Sequence, residues 1–170
     1  MKNNIAKAQL VSLIIALSYA IGCNHAVQSL RSVSDSPHTL AKRDLDADER
    51  RGGHTLKRHV GRSDSELHDR LARESHIHAA STYTDREAAE AAVGQALRNN
   101  LSEVNRWLAS GRMTNLALQE DIGHPVGRTL SRDRTGAVPC SHVTVVLKRV
   151  DADSYYVLTS YPECGSNVNE

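Results

Sequence analysis

His142–Val150 (HVTVVLKRV) and Ser154–Pro162 (SYYVLTSYP), separated by Asp151-Ala152-Asp153, decide the fold class of this chain. Both runs are dense in β-branched and aromatic residues, which suit a pleated, half-buried surface. The short acidic link between them is turn-like, so they predict an antiparallel hairpin. Thr159 and Tyr161, two apart on the second strand, share a face. Alternation puts Tyr155 and Val157 on the same face, so part of it serves the core as naturally as a ligand. With Val150 opposite Tyr155, Cys140 and Cys164 come within one residue of facing each other at the open end. In an exported protein that pairing predicts a Cys140–Cys164 disulfide. It would close a loop of roughly 25 residues and contribute ~2–4 kcal/mol. Two free thiols near a surface are the alternative.

Upstream of the hairpin, Asn115–Gln119 and Val126–Leu130 read as weaker strands. Before these the pattern is helical. Ser63-Asp64-Ser65-Glu66 is a capping box opening a helix through about Arg73, with Leu67 and Leu71 on its buried stripe and Arg70 beside it. Thr84-Asp85-Arg86-Glu87 opens a long alanine-rich helix that stops near Asn99-Asn100. Ser102 can cap a third through Ala109, with Val104, Trp107 and Leu108 on one face and Gly111 suited to follow its end. Helices followed by strands predict an α+β fold, with N-terminal helices packed on a C-terminal antiparallel sheet.

The N-terminus is set apart. Lys2 and Lys7 precede an uncharged apolar run, Leu10–Gly22, with the length of a signal-peptide core and short of the ~20 residues of a membrane span. Residues 1–22 therefore predict export. Ala20-Ile21-Gly22-Cys23 fits either a lipoprotein box with lipid on Cys23 or plain cleavage after a small residue. Residues 23–50, rich in Ser, Asp and Pro and without sustained periodicity, read as a tether. The folded domain is expected over 51–165, with a tail at 166–170. The product is secreted, periplasmic or lipid-anchored, and meets a membrane only through the signal peptide or the lipid.

The 170 residues thus hold one domain. The formal net charge of +1 excludes a polycation that grips nucleic acid by bulk charge. Charge is uneven, however. Residues 42–73 hold nine Lys/Arg against seven Asp/Glu, 112–150 hold six against three, and 151–170 hold four acids and no base.

There are nine His and no Phe. His54 and His59 flank Lys57-Arg58 in a glycine-bounded segment, where close backbone approach and positive charge favour an anion. As metal ligands they lack a third partner at a recognised spacing, and His76-x-His78 is a polar loop. No metal or cofactor is expected. A structural role is the ordinary one for a lone His.

Four stretches taken in order resemble one family: GGHTLKRHVGRSDSELHDRLARES (52–75), ASTYTDREAAEAAVGQALRNNLSEVNRWLASG (80–111), HPVGRTL (124–130) and YYVLTSYPE (155–163). They are similar to the bacterial ribonuclease A-like toxin domain of contact-dependent growth inhibition proteins and related secreted effectors. GGHTLKRHVG followed by LHDRL, and the closing LTSYP, are the most specific parts. The resemblance implies a ribonuclease A-like α+β fold with a central cleft, an RNA substrate, and a cognate immunity protein. It also implies catalytic roles for His59, Arg70, Thr159 and Tyr161, with His54 second for the histidine role. The chemistry suits metal-free cleavage to a 2′,3′-cyclic phosphate. An imidazole takes the 2′-OH proton, the guanidinium forks onto a phosphate, and two hydroxyls bind its other oxygens. The general acid stays open among Tyr161, His54 and His142. The alternatives are a catalytically silent lipoprotein or binding module of the same fold, and a metal hydrolase using the many His.

Overall fold

The computed structural model describes residues 42–164. The expected export signal, Cys23, most of the expected tether and the tail lie outside the described residues. The order is α1 (Leu45–Arg50), α2 (Thr55–His59), α3 (Asp64–Arg73), β1 (Ala79–Tyr83), α4 (Arg86–Asn99), α5 (Leu101–Ala109), β2 (Leu116–Asp121), β3 (Gly127–Ser131), β4 (Val138–Cys140), β5 (His142–Arg149) and β6 (Tyr155–Glu163). The class is α+β, and the strands form two antiparallel sheets, β1-β3-β4 and β2-β5-β6.

The hairpin forms as β5 and β6. Beyond Leu147 its register is the expected one, with Thr144 opposite Tyr161 and Val145 opposite Ser160. Nearer the turn it is shifted by one residue, Arg149 facing Tyr155, because Val146 pairs with Thr159 and Leu147 with Val157. Leu158 is the extra residue of a β-bulge. Val157 accordingly goes to the core, while Thr159 and Tyr161 line a cavity.

Each sheet has its own helical cover. Leu67 and Leu71 of α3 bury against Ala80 and Leu130 of β1 and β3. Ala89, Ala92, Val93 and Ala96 of α4, with Val104 and Trp107 of α5, bury against Leu118, Val143, Val145, Leu147 and Val157. Hydrogen bonds and a covalent link tie the sheets together. The buried Tyr83 hydroxyl meets Ser160 Oγ at 2.6 Å, Thr129 Oγ1 donates to the Pro162 carbonyl at 3.1 Å, and a Cys140–Cys164 disulfide ties β4 to the residue after β6.

Three details differ from the sequence reading, the first being that Asn100, not Ser102, holds the N-cap position of α5, so that Ser102 lies inside the helix. The folded body begins before residue 51: Leu45 is fully buried in the core, and Asp48 is buried with both carboxylate oxygens held by Arg43 at 2.7 and 2.8 Å. Asp48 Oδ1 also accepts the Val157 N–H at 3.1 Å, next to the bulge. A six-residue helix is too short for periodicity to reveal, and its anchors are polar. At α4 the N-cap is Asp85 rather than Thr84. Asp85 accepts the Ala88 N–H at 2.8 Å, while Thr84 Oγ1 donates to the Val126 carbonyl.

Candidate active site

The bulge and the turn before α2 build the site together. Gly53 sits so close to β6 that an added Cβ would lie 2.6 Å from the Val157 carbonyl oxygen and 2.9 Å from that of Asp48. Only glycine fits that approach. It lets the His54 N–H donate to the Leu158 carbonyl at 3.0 Å, so the bulged residue itself holds the start of α2. Thr55 Oγ1, fully inside, accepts the Ser160 N–H at 2.8 Å. Bulges often re-aim backbone beside functional sites, and this one fixes His54 and His59 against Thr159 and Tyr161.

These four residues and Arg70 line one cavity of about 400 Å³, together with Arg58, Ser81, Thr129 and Glu163. His142 is not among its lining residues. It starts β5 half-exposed, 3.9 Å from Asp121, which leaves Tyr161 and His54 as the proton donors present in the cavity.

His59 is buried, and its Nδ1 lies 3.2 Å from the Ser81 carbonyl oxygen. Burial, reinforced by the Arg70 charge, pushes its pKa down to about 3. His54 is lowered as well, by burial and then by Arg58. Tyr161 stacks obliquely on His59, with ring centroids 5.3 Å apart. Burial and the nearby Glu163 carboxylate raise its pKa, so it stays a protonated donor. Thr144, across the ladder from Tyr161, donates to Glu163 Oε2 at 2.8 Å.

Arg70 contacts Glu74 through Nε, at 3.4 Å, and its Nη1 is buried without a hydrogen-bond partner. Thr159 Oγ1 is buried and unpartnered too. Among the described residues three buried side-chain polar atoms lack a partner, and two of them belong to this cavity. Orphaned buried donors are costly and uncommon. Two beside a neutral imidazole form a cradle for an anionic, oxygen-rich group.

Residues 53–162 match the bacterial CdiA-CT RNAse A domain. The chain belongs to that family. The CdiA-CT ribonuclease fold recurs in a solved chain of the crystal structure of a CdiA-CT/CdiI complex from Y. kristensenii 33638. The two are 28% identical with a TM-score of 0.60, over 65% of this chain and 99% of that one. No curated protein matches the chain. The family match accounts for the α+β architecture and supports ribonuclease activity.

Ser81, Thr129, Thr144 and Glu163 were not singled out from the sequence, whereas Arg58 was, as part of the basic pair between His54 and His59. Glu163 continues the alternation of Thr159 and Tyr161, and the expected register already placed Thr144 opposite Tyr161. Ser81 and Thr129 lie on strands of the other sheet and carried no signal. No group of three His, Cys, Asp or Glu side chains assembles among the described residues to suit a metal ion.

Proposed function

We propose that this chain is an exported ribonuclease toxin that cleaves RNA without a metal ion, by attack of the 2′-oxygen on the adjacent phosphodiester. The observation that carries the reading is the pair of orphaned donors, Arg70 Nη1 and Thr159 Oγ1, in the cavity that holds neutral His59. His59 takes the 2′-OH proton on Nε2. The 2′-oxygen bonds to phosphorus, and charge on the non-bridging oxygens is held by Arg70 and Thr159. Tyr161 protonates the departing 5′-oxygen, with His54 as the other candidate. The products are a 2′,3′-cyclic phosphate and a 5′-hydroxyl.

The apolar run before Gly22 supports export, and Cys23 is the site for a lipid if cleavage follows the lipoprotein route. The similar solved structure is a complex with CdiI, which supports a cognate immunity protein for this chain. The test is the purified chain on RNA in excess EDTA, with the ends of the products sequenced. Cyclic phosphate ends with wild type and intact RNA with His59→Ala are expected. Intact RNA with wild type would leave a silent binding module, and chelator-sensitive cleavage would overturn the metal-free step.

A further inference from the structure

A second concavity, about 250 Å³, runs between α2 and α3 and shares Arg58 and Arg70 with the catalytic cavity. The two therefore adjoin each other at a pair of cations. Lys57, Arg62 and Arg73 complete its basic lining. Two of the five cations are committed. Arg62 pairs with Glu66 at 3.1 Å and reaches the Lys57 carbonyl, and Arg70 pairs with Glu74. Lys57, Arg58 and Arg73 are exposed, with no ion pair or side-chain hydrogen bond, against one carboxylate in the same condition, Asp69.

A lone exposed Lys or Arg is ordinary. Three that converge on a groove leading out of a phosphate-binding cavity are a track for an anionic chain. Leu67 is its one apolar lining residue and is buried, so the groove offers no aromatic platform for a base. It suits a sugar-phosphate backbone. The short acidic stretch of a protein partner has the same charge but would not require the groove to adjoin the reaction centre.

We propose that the α2–α3 groove is a subsite for the phosphodiester next to the scissile one, bound by Lys57, Arg58 and Arg73. The proposal rests on the RNA-cleaving reading above. It makes the enzyme prefer single-stranded substrates that extend past the cleaved step.

The test uses Lys57→Ala/Arg73→Ala, two exposed positions away from the catalytic cavity, with a dinucleoside monophosphate and a tetranucleotide sharing the same scissile step. Cleavage of the dinucleotide should be unchanged. The KM for the tetranucleotide should rise by about tenfold, and the log–log salt dependence of its binding, read on a 2′-deoxy tetranucleotide, should flatten by ~0.7 per lost contact. Equal losses on both substrates, or unaltered KM and salt slope, overturn the subsite. An unaltered result assigns the groove to a protein partner. If wild type binds the deoxy tetranucleotide with the steep salt slope but cleaves neither substrate, the subsite stands and the catalytic reading falls. If it does neither, both fall. A thermal melt of the variant matching wild type confirms that the fold is intact.

Discussion

The ring of His59 and the backbone of Ser81 are joined at 3.2 Å between Nδ1 and the carbonyl oxygen. A carbonyl only accepts, so Nδ1 carries the proton and Nε2 is the nitrogen with a free lone pair. A strand of one sheet thus sets the tautomer of a histidine that stacks on Tyr161 of the other.

From this follows the first prediction. His59 is neutral down to about pH 3 in the free protein, because burial and Arg70 both oppose its charge. The acid limb of kcat/KM should therefore fall well below the ordinary histidine value of ~6.5. His59→Ala should lower kcat by ~10²–10⁴. In nitrogen-detected NMR titrations, Arg70→Gln should move the His59 value upward, while burial keeps it below 6.5. The linked effect on stability has a definite sign. Between pH 6.5 and about 3 the unfolded chain binds this proton and the native one does not, so stability should decline as pH falls through that window.

Thr159→Val separates function from folding. It removes a buried hydroxyl that has no partner in the resting protein, so unfolding stability should be unchanged or slightly higher. If Thr159 donates to the phosphorane, kcat should fall by ~10². Full activity in the variant would assign Thr159 to packing alone. Few residues give this opposition of signs, and it is the usual mark of a side chain kept for chemistry.

The hairpin was legible because both of its strands carry dense β-branched sequence, and with it came Thr159, Tyr161 and the cysteine pair. The helices were legible through their caps and stripes. The bulge at Leu158 was not, since nothing in Leu-Thr-Ser distinguishes it from regular strand. It is required by contacts from far away, the Asp48 carboxylate on the Val157 N–H and the His54 N–H on the Leu158 carbonyl. β1 was missed for a related reason. Ala-Ala-Ser-Thr-Tyr has weak strand propensity, and its place is set by pairing with β3, fifty residues on. The spacing of the proposed catalytic set became readable through the family resemblance. The residues that orient it, Ser81 and Thr144, depend on tertiary pairing.

Asp48 tests the corrected N-terminal boundary. Its carboxylate is buried, bound twice by Arg43 and once by the Val157 N–H. Asp48→Ala leaves a half-buried guanidinium and a buried N–H uncompensated, so urea unfolding should register a loss of ~2–4 kcal/mol. Residues 42–50 acting as a mere tether would make the same substitution neutral. Because the Asp48 carbonyl also accepts the Gly53 N–H at 2.9 Å, loosening α1 should reach His54, and kcat should fall along with stability.

Glu163 tests how Tyr161 is kept as an acid. Its carboxylate holds the Thr144 hydroxyl at 2.8 Å, and its charge, second to burial, raises the Tyr161 pKa. Glu163→Gln keeps the size and an acceptor for Thr144 but removes the charge. The phenol value should move down while burial still holds it above the ordinary ~10. If Tyr161 gives its proton to the 5′-oxygen, the alkaline limb of kcat should shift to lower pH by the same amount as the phenol titrates in carbon-detected NMR of labelled tyrosine. Were His54 the donor instead, the NMR shift would occur and the rate profile would not follow it. The two measurements together assign the general acid between the two groups that share the cavity with His59.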